Sequence, residues 1–200
     1  QFGVDYGFYA FVLPMLRLTL STLSLLLIIS FLIALIGHYL LGNIIIGSQA
    51  AGQRGSISRY ARIQLAVTAG LWMIVKSVGY WLDRFDLLMT RDETFYGASY
   101  TDIKALLPAK IILMVIAALV AVSFFSVIVL KDLRIPAMTT VLMLLSSMVI
   151  GYAWPAMMER FSVQPNRAEK ESEYISRNIE STRYAYGLTE DKVTYQENWG

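Results

Sequence analysis

"IILMVIAALVAVSFFSVIVL", Ile111 to Leu130, carries no charge from one end to the other. At about 1.5 Å of rise per residue, a helix of this length matches the roughly 30 Å hydrocarbon core of a bilayer. Three other stretches repeat the pattern: Leu18–Leu41, where His38 is the one group titrating near neutral pH, Ile63–Trp81, interrupted by Lys76, and Ile135–Met158, uncharged until Glu159. Buried helices of a soluble domain are the competing reading, but four such runs in 200 residues argue against it. Backbone in lipid must satisfy its own hydrogen bonds, which favours helices over open strands. The sequence therefore predicts an all-α fold, a polytopic membrane helix bundle with four transmembrane helices.

Composition agrees. Hydrophobic residues make up 56% of the 200 and charged residues 16%, whereas soluble domains carry roughly 25% charge. A net charge of +2 without a Lys/Arg run gives no ground for a nucleic-acid partner, and none is expected. The absence of cysteine removes disulfides, thiolate metal sites and thiol nucleophiles, and a single histidine restricts metal chemistry further. Gln1 reads as a point inside a longer chain.

The ends of the spans carry interface markers, Tyr80 and Trp81 on the second and Tyr152 and Trp154 on the fourth. Pro108 and Pro136 stand where spans three and four are expected to start, where a missing N–H costs little. Small residues recur four apart, at Ala66 and Gly70, Ala117 and Ala121, and Ser147 and Gly151, as close helix packing requires. Residues 1–17, crowded with Phe2, Tyr6, Phe8, Tyr9 and Phe11, form either an interfacial extracytoplasmic stub or the aromatic belt of the first helix.

Lys and Arg in the connections set orientation. The first connection holds Arg54, Arg59 and Arg62, and the third holds Lys131 and Arg134. The second sets Asp83, Asp86, Asp92, Glu93 and Asp102 against Arg84, Arg91 and Lys104. Connections one and three are thus expected in the cytoplasm, and the C-terminal tail outside.

Lys76 within a span is a functional hypothesis by default. It is also close enough to Trp81 to snorkel, or to pair with Asp83. His38 is expected to be a hydrogen-bonded packing residue rather than a ligand. The carboxylates of the second connection match no EF-hand and have no nucleophile or histidine base beside them. Zinc-hydrolase, P-loop, Rossmann and G-x-S-x-G signatures do not occur. No catalytic, cofactor-binding or metal-ligating residue is nominated, no cofactor is expected, and the chain is not expected to be an enzyme.

After the last span comes "RFSVQPNRAEKESEYISRNIESTRYAYGL", Arg160 to Leu188. Asn166 followed by Glu169 reads as a capped helix start. Ile175, Ile179, Thr182 and Tyr186 then mark one stripe, Glu173 and Arg177 can pair one turn apart, and Gly187 is a C-cap candidate. This amphipathic helix opens a region, 159–200, expected outside the membrane, after a transmembrane region over 18–158.

That stretch, with "FYAFVLP" (Phe8–Pro14), "GYWLDRFDLL" (Gly79–Leu88) and "GASYTD" (Gly97–Asp102), resembles the large multi-spanning bacterial membrane proteins of actinobacteria, cyanobacteria and clostridia that are grouped as an uncharacterised protein family. The resemblance covers essentially the whole chain in order. It implies several N-terminal membrane helices ahead of a large extracytoplasmic domain, in the bacterial inner (plasma) membrane, or a thylakoid membrane if the source is photosynthetic. The expected role is an integral-membrane module that anchors and orients that domain. The alternatives are an accessory subunit of a respiratory or photosynthetic membrane complex and, less favoured, a transporter or lipid-handling protein. Its expected partners are the lipid bilayer and other membrane-protein subunits or further parts of its own chain.

Overall fold

The computed structural model describes residues 3–47, 55–89, 97–188 and 192. Arg54, Arg91, Asp92, Glu93 and Phe2, used above to read orientation and the stub, lie outside the described residues. Four helical stretches are long and apolar enough to cross a membrane: Phe8–Leu40, Arg59–Met89, Asp102–Leu130 and the first part of Arg134–Ala185. Their regular portions are α1 (Leu13–Leu40), α2 (Arg59–Asp86), α3 (Leu107–Leu130), α4 (Arg134–Met148), α5 (Trp154–Met158) and α6 (Arg167–Ala185). Each span packs mainly on its neighbour in sequence, and α2 and α3 share the largest interface.

Small residues explain that interface. Ala66, Ala117 and Ala121 are buried, and a Cβ built on Gly70 would lie 3.0 Å from Cζ of Phe125. Met73, Val120 and Met143 complete the core of the α2–α3–α4 contact. Hydroxyls and one indole cross between helices, as expected where apolar surface alone gives no preference for a neighbour. Trp72 Nε1 donates to Ser24 Oγ at 2.8 Å, Ser77 Oγ donates to the Met114 carbonyl at 2.9 Å, and Ser123 and Thr139 share a hydroxyl bond of 2.8 Å.

The connections are tight where they are described. Gly42, at φ +72°, ends α1 with Asn43 N–H donating to the His38 carbonyl at 2.9 Å, a Schellman closure. A short antiparallel ladder follows, β1 (Ile44–Ile45) against β2 (Ser56–Ile57), which the sequence reading did not anticipate. Ser58 then caps α2 by accepting the Ala61 N–H at 3.2 Å. His38 bridges here as expected of a packing histidine: Gln64 Oε1 lies 3.0 Å from Nε2, and Asn43 Nδ2 lies 3.3 Å from Nδ1. An amide oxygen on Nε2 and an amide nitrogen on Nδ1 together assign the proton to Nε2.

Four of the five prolines share one local geometry. The turns Phe8–Val12, Asp102–Leu106, Val149–Ala153 and Glu159–Val163 are all π-helical, and each ends two residues before a proline, at Pro14, Pro108, Pro155 and Pro165. A proline has no N–H to give the carbonyl four residues back, and its ring clashes with that carbonyl. Widening the turn relieves the clash without breaking the helix. Pro108 therefore lies inside the third span, which begins earlier than expected, whereas Pro136 does stand in the first turn of α4. Pro14 likewise leaves the first helix continuous from Phe8, so no element boundary falls at residue 17, where the stub was expected to give way to the span.

Candidate functional site

All four widened turns lie at one end of the bundle, and that end also holds most of its charge. Arg17 on α1 donates through Nη2 to Asp83, at 2.6 Å, and to Asp86, both on α2. Lys110 on α3 meets the other oxygen of Asp83 at 2.8 Å. One network thus ties three spans together. The pairing of Lys76 with Asp83 offered by the sequence does not occur: Asp83 is taken by cations from the two flanking helices. Lys76 Nζ lies 5.4 Å from the centroid of the Trp72 ring, one turn toward the start of α2 and away from Trp81. Helical side chains lean toward the N-terminus, and the ring face offers the ammonium a partner there.

The aromatic N-terminal segment packs beside this network. Phe8 and Tyr9 lie 5.1 and 6.3 Å from Phe85, edge to face, and Trp81 lies 5.4 Å from Phe85 on its other flank. Arg84 caps the group, 4.5 Å from Trp81 and 4.6 Å from Phe85. "FYAFVLP" and "GYWLDRFDLL", far apart in sequence, are therefore one packed unit.

"GASYTD" and the C-terminal stretch form a second unit. Ser99 and Asp102 make a reciprocal capping box: Ser99 N–H donates to Asp102 Oδ2 at 2.9 Å, and Asp102 N–H donates to Ser99 Oγ at 3.3 Å. The next N–H, that of Tyr100, is received by both carboxylate oxygens of Glu171 at 3.1 Å. Glu171 is only 2% exposed. A carboxylate suits this place because free N–H groups and the helix dipole concentrate positive potential at a helix start. Tyr174 meets Tyr100 edge to face at 6.2 Å, and Lys170 Nζ sits 5.1 Å from the same ring. Glu159 accepts from Thr101 Oγ1 and, at 3.1 Å, from Arg167.

These contacts require a bend. Glu159 and Glu171 are twelve residues apart, about 18 Å along a straight helix, yet they reach the adjacent residues Thr101 and Tyr100. The turn falls at Gln164–Asn166, where Asn166 has φ −129° and ψ 37°. Asn166 precedes α6 as the sequence suggested, but its side chain makes no capping bond. The expected stripe of α6 is also corrected. Arg167, Glu171, Tyr174 and Asn178 face the bundle end, while Ile179, Thr182 and Tyr186 are exposed. Ile175 alone of that stripe is half-buried. Partner chemistry at a polar helix start outweighed apolar spacing. The Glu173–Arg177 pair forms at 2.5 Å, and Gly187, at φ +67°, closes α6 with Leu188 N–H donating to the Arg183 carbonyl at 2.8 Å.

Four segments recognisable in the sequence are thus two contacts in space, and the comparison with known proteins covers them all. The profile of the Uncharacterised protein family (UPF0182) matches residues 1–200. The chain belongs to this family. It is 70% identical over 200 residues to a UPF0182 protein of Corynebacterium diphtheriae and 71% identical over 200 residues to one of Corynebacterium glutamicum, in each case across 100% of this chain and 20% of the relative. A UPF0182 protein of Mycolicibacterium gilvum is 56% identical over 199 residues, 98% of this chain and 19% of the relative. The chain spans about one fifth of the length of these relatives. No solved structure matches it.

Sequence reasoning passed over Arg17, Lys110, Tyr100 and Glu171. For Tyr100 a signal existed, since Ser99-x-x-Asp102 ahead of an apolar run is a capping-box pattern that marks the helix start. The other three are single charges whose partners lie on other helices, and nothing local distinguishes them. Among the described residues no group of three or more His, Asp or Glu side chains is placed to hold a metal ion.

Proposed function

We propose that this part of a UPF0182 protein is a non-catalytic membrane module of the bacterial plasma membrane that anchors and orients an extracytoplasmic domain. The observation that carries the reading is the return of α6 onto the start of the third span. Glu171, Tyr174 and Arg167 bind it to Tyr100 and Glu159. A flexible tether would need none of these contacts; a segment that must leave the bundle in a fixed direction does. In this reading the charged end, with Asp83, Asp86 and α6, faces outward, and Arg59, Arg62, Lys131 and Arg134 mark the cytoplasmic end.

Single cysteines test the orientation. Lys104 and Ser172 are exposed at one end and Ser56 at the other. In the full-length protein, with any cysteine elsewhere removed, Lys104→Cys and Ser172→Cys are expected to react with a membrane-impermeant maleimide on intact cells, and Ser56→Cys only after permeabilisation. Labelling of Ser56→Cys alone would invert the orientation and put the downstream domain in the cytoplasm.

A second reading, subunit of a larger membrane assembly, is favoured by the outer helices. The first and fourth spans are the least buried of the four and leave most of their apolar side chains uncovered. Purification in mild detergent separates the readings, because a stoichiometric companion membrane protein is expected only of a subunit.

A further inference from the structure

Between α1 and α2 a cleft of about 390 Å³ combines charge with an apolar wall. Its register is fixed by two contacts: Arg17 Nη1 reaches the Gly79 carbonyl at 3.5 Å, and Trp72 donates to Ser24. From Arg17 to Ser24 the cleft therefore descends about 10 Å along the helix axis, with Ser21 and Lys76 between those levels and Leu25 and Ile28 beyond. Its polar groups are rich in donors and short of acceptors. Nε of Arg17 is buried and has no hydrogen-bond partner. Lys76 has an aromatic ring and, among the described residues, no carboxylate within ion-pair distance. Arg17, Lys76 and Lys110 outnumber Asp83 and Asp86, so the local balance is positive.

We propose that this cleft binds a phospholipid of net negative charge, its phosphate held by Lys76 and Arg17 and its acyl chain lying along Leu25 and Ile28. A free phosphate ester shares the headgroup chemistry, but the surroundings favour lipid. Leu25 and Ile28 are 58% and 39% exposed on the face of a membrane-spanning helix, where acyl chains are the available solvent. An ammonium at that depth is costly unless paired, and a lipid phosphate supplies the pair without drawing water into the span. The proposal rests on the reading that these helices lie in a bilayer.

Native mass spectrometry of the full-length protein in a non-ionic detergent tests it, with dioleoylphosphatidylglycerol or dioleoylphosphatidylcholine added. Retention of phosphatidylglycerol is expected to exceed that of phosphatidylcholine by about tenfold, because both offer the phosphate but only the choline headgroup sets a like charge beside Lys76 and Arg17. Lys76→Met is expected to remove that preference and Lys76→Arg to keep it. Ile28→Trp, which fills the apolar wall and leaves the charges alone, is expected to lower retention of the anionic lipid, so the test does not depend on one variant folding. Equal retention of the two lipids, or an unchanged preference in Lys76→Met, would overturn the site while the protein's need for detergent still supported the membrane reading. Displacement of the lipid by millimolar glycerol 3-phosphate would overturn it in favour of a free anion.

Discussion

Glu171 accepts the Tyr100 N–H with both carboxylate oxygens at 3.1 Å across 71 residues of sequence, so the first helix beyond the last span is held by the start of the third. Removing the carboxylate strands a part-buried N–H at the position where the helix dipole is strongest.

Glu171→Ala is therefore expected to cost about 1–3 kcal/mol locally. Hydrogen exchange should quicken at Tyr100 and through α6, while α1 and the middle of α2 keep their protection. Unchanged exchange in α6 would show that the helix is held by something other than this contact.

Arg17 is shared by Asp83 and Asp86. Arg17→Met leaves Asp83 with Lys110 and takes the cross-helix cation from Asp86. Because these groups are partly exposed, the cost is expected to be about 1–3 kcal/mol, below that of breaking a fully buried pair. Thermal unfolding in detergent measures it. Adding Asp86→Asn to Arg17→Met should recover part of the loss, since it removes the like charge that Asp86 sets beside Asp83.

At Gly70 the close approach of Phe125 leaves no room for a branched side chain. Gly70→Val is expected to destabilise by about 1–3 kcal/mol through overpacking. Phe125→Ala destabilises on its own by opening a cavity, yet the double variant should be more stable than the sum of the two predicts. Strict additivity would mean that the two side chains do not compete for the same space.

The hydroxyl of Tyr9 is buried without a hydrogen-bond partner, while its ring packs on Phe8 and Phe85. Tyr9→Phe keeps the ring and removes an unsatisfied group, so stability should rise by about 1 kcal/mol. A fall in the unfolding temperature would reveal a polar partner for the hydroxyl in the full-length protein.

What the sequence disclosed follows from range. The four spans were legible because hydrophobic length is a local property, and Ile111–Leu130 needs no knowledge of its neighbours. The Gly187 closure and the Glu173–Arg177 pair were legible for the same reason, each lying within two turns. The face of α6 was not. Its apolar spacing pointed to Ile179 and Tyr186, but the helix binds through Glu171 to a free N–H that another segment presents. Pro108 shows a different failure. A proline near the start of an apolar run suits a first turn, and equally a π-helical turn within a longer helix; the recurrence at Pro14, Pro155 and Pro165 distinguishes the two only once the helices are seen.

The bend at Gln164–Asn166 turns the joint between span and outer segment from an end-to-end splice into an overlap. A load drawn along the chain beyond Leu188 is carried sideways as shear, shared among the Glu171, Tyr174 and Arg167 contacts, before it stretches any backbone hydrogen bond of the last span. In the proposed anchoring role the third span would take part of such a load, so a domain carried by this helix would be moored to two spans at once.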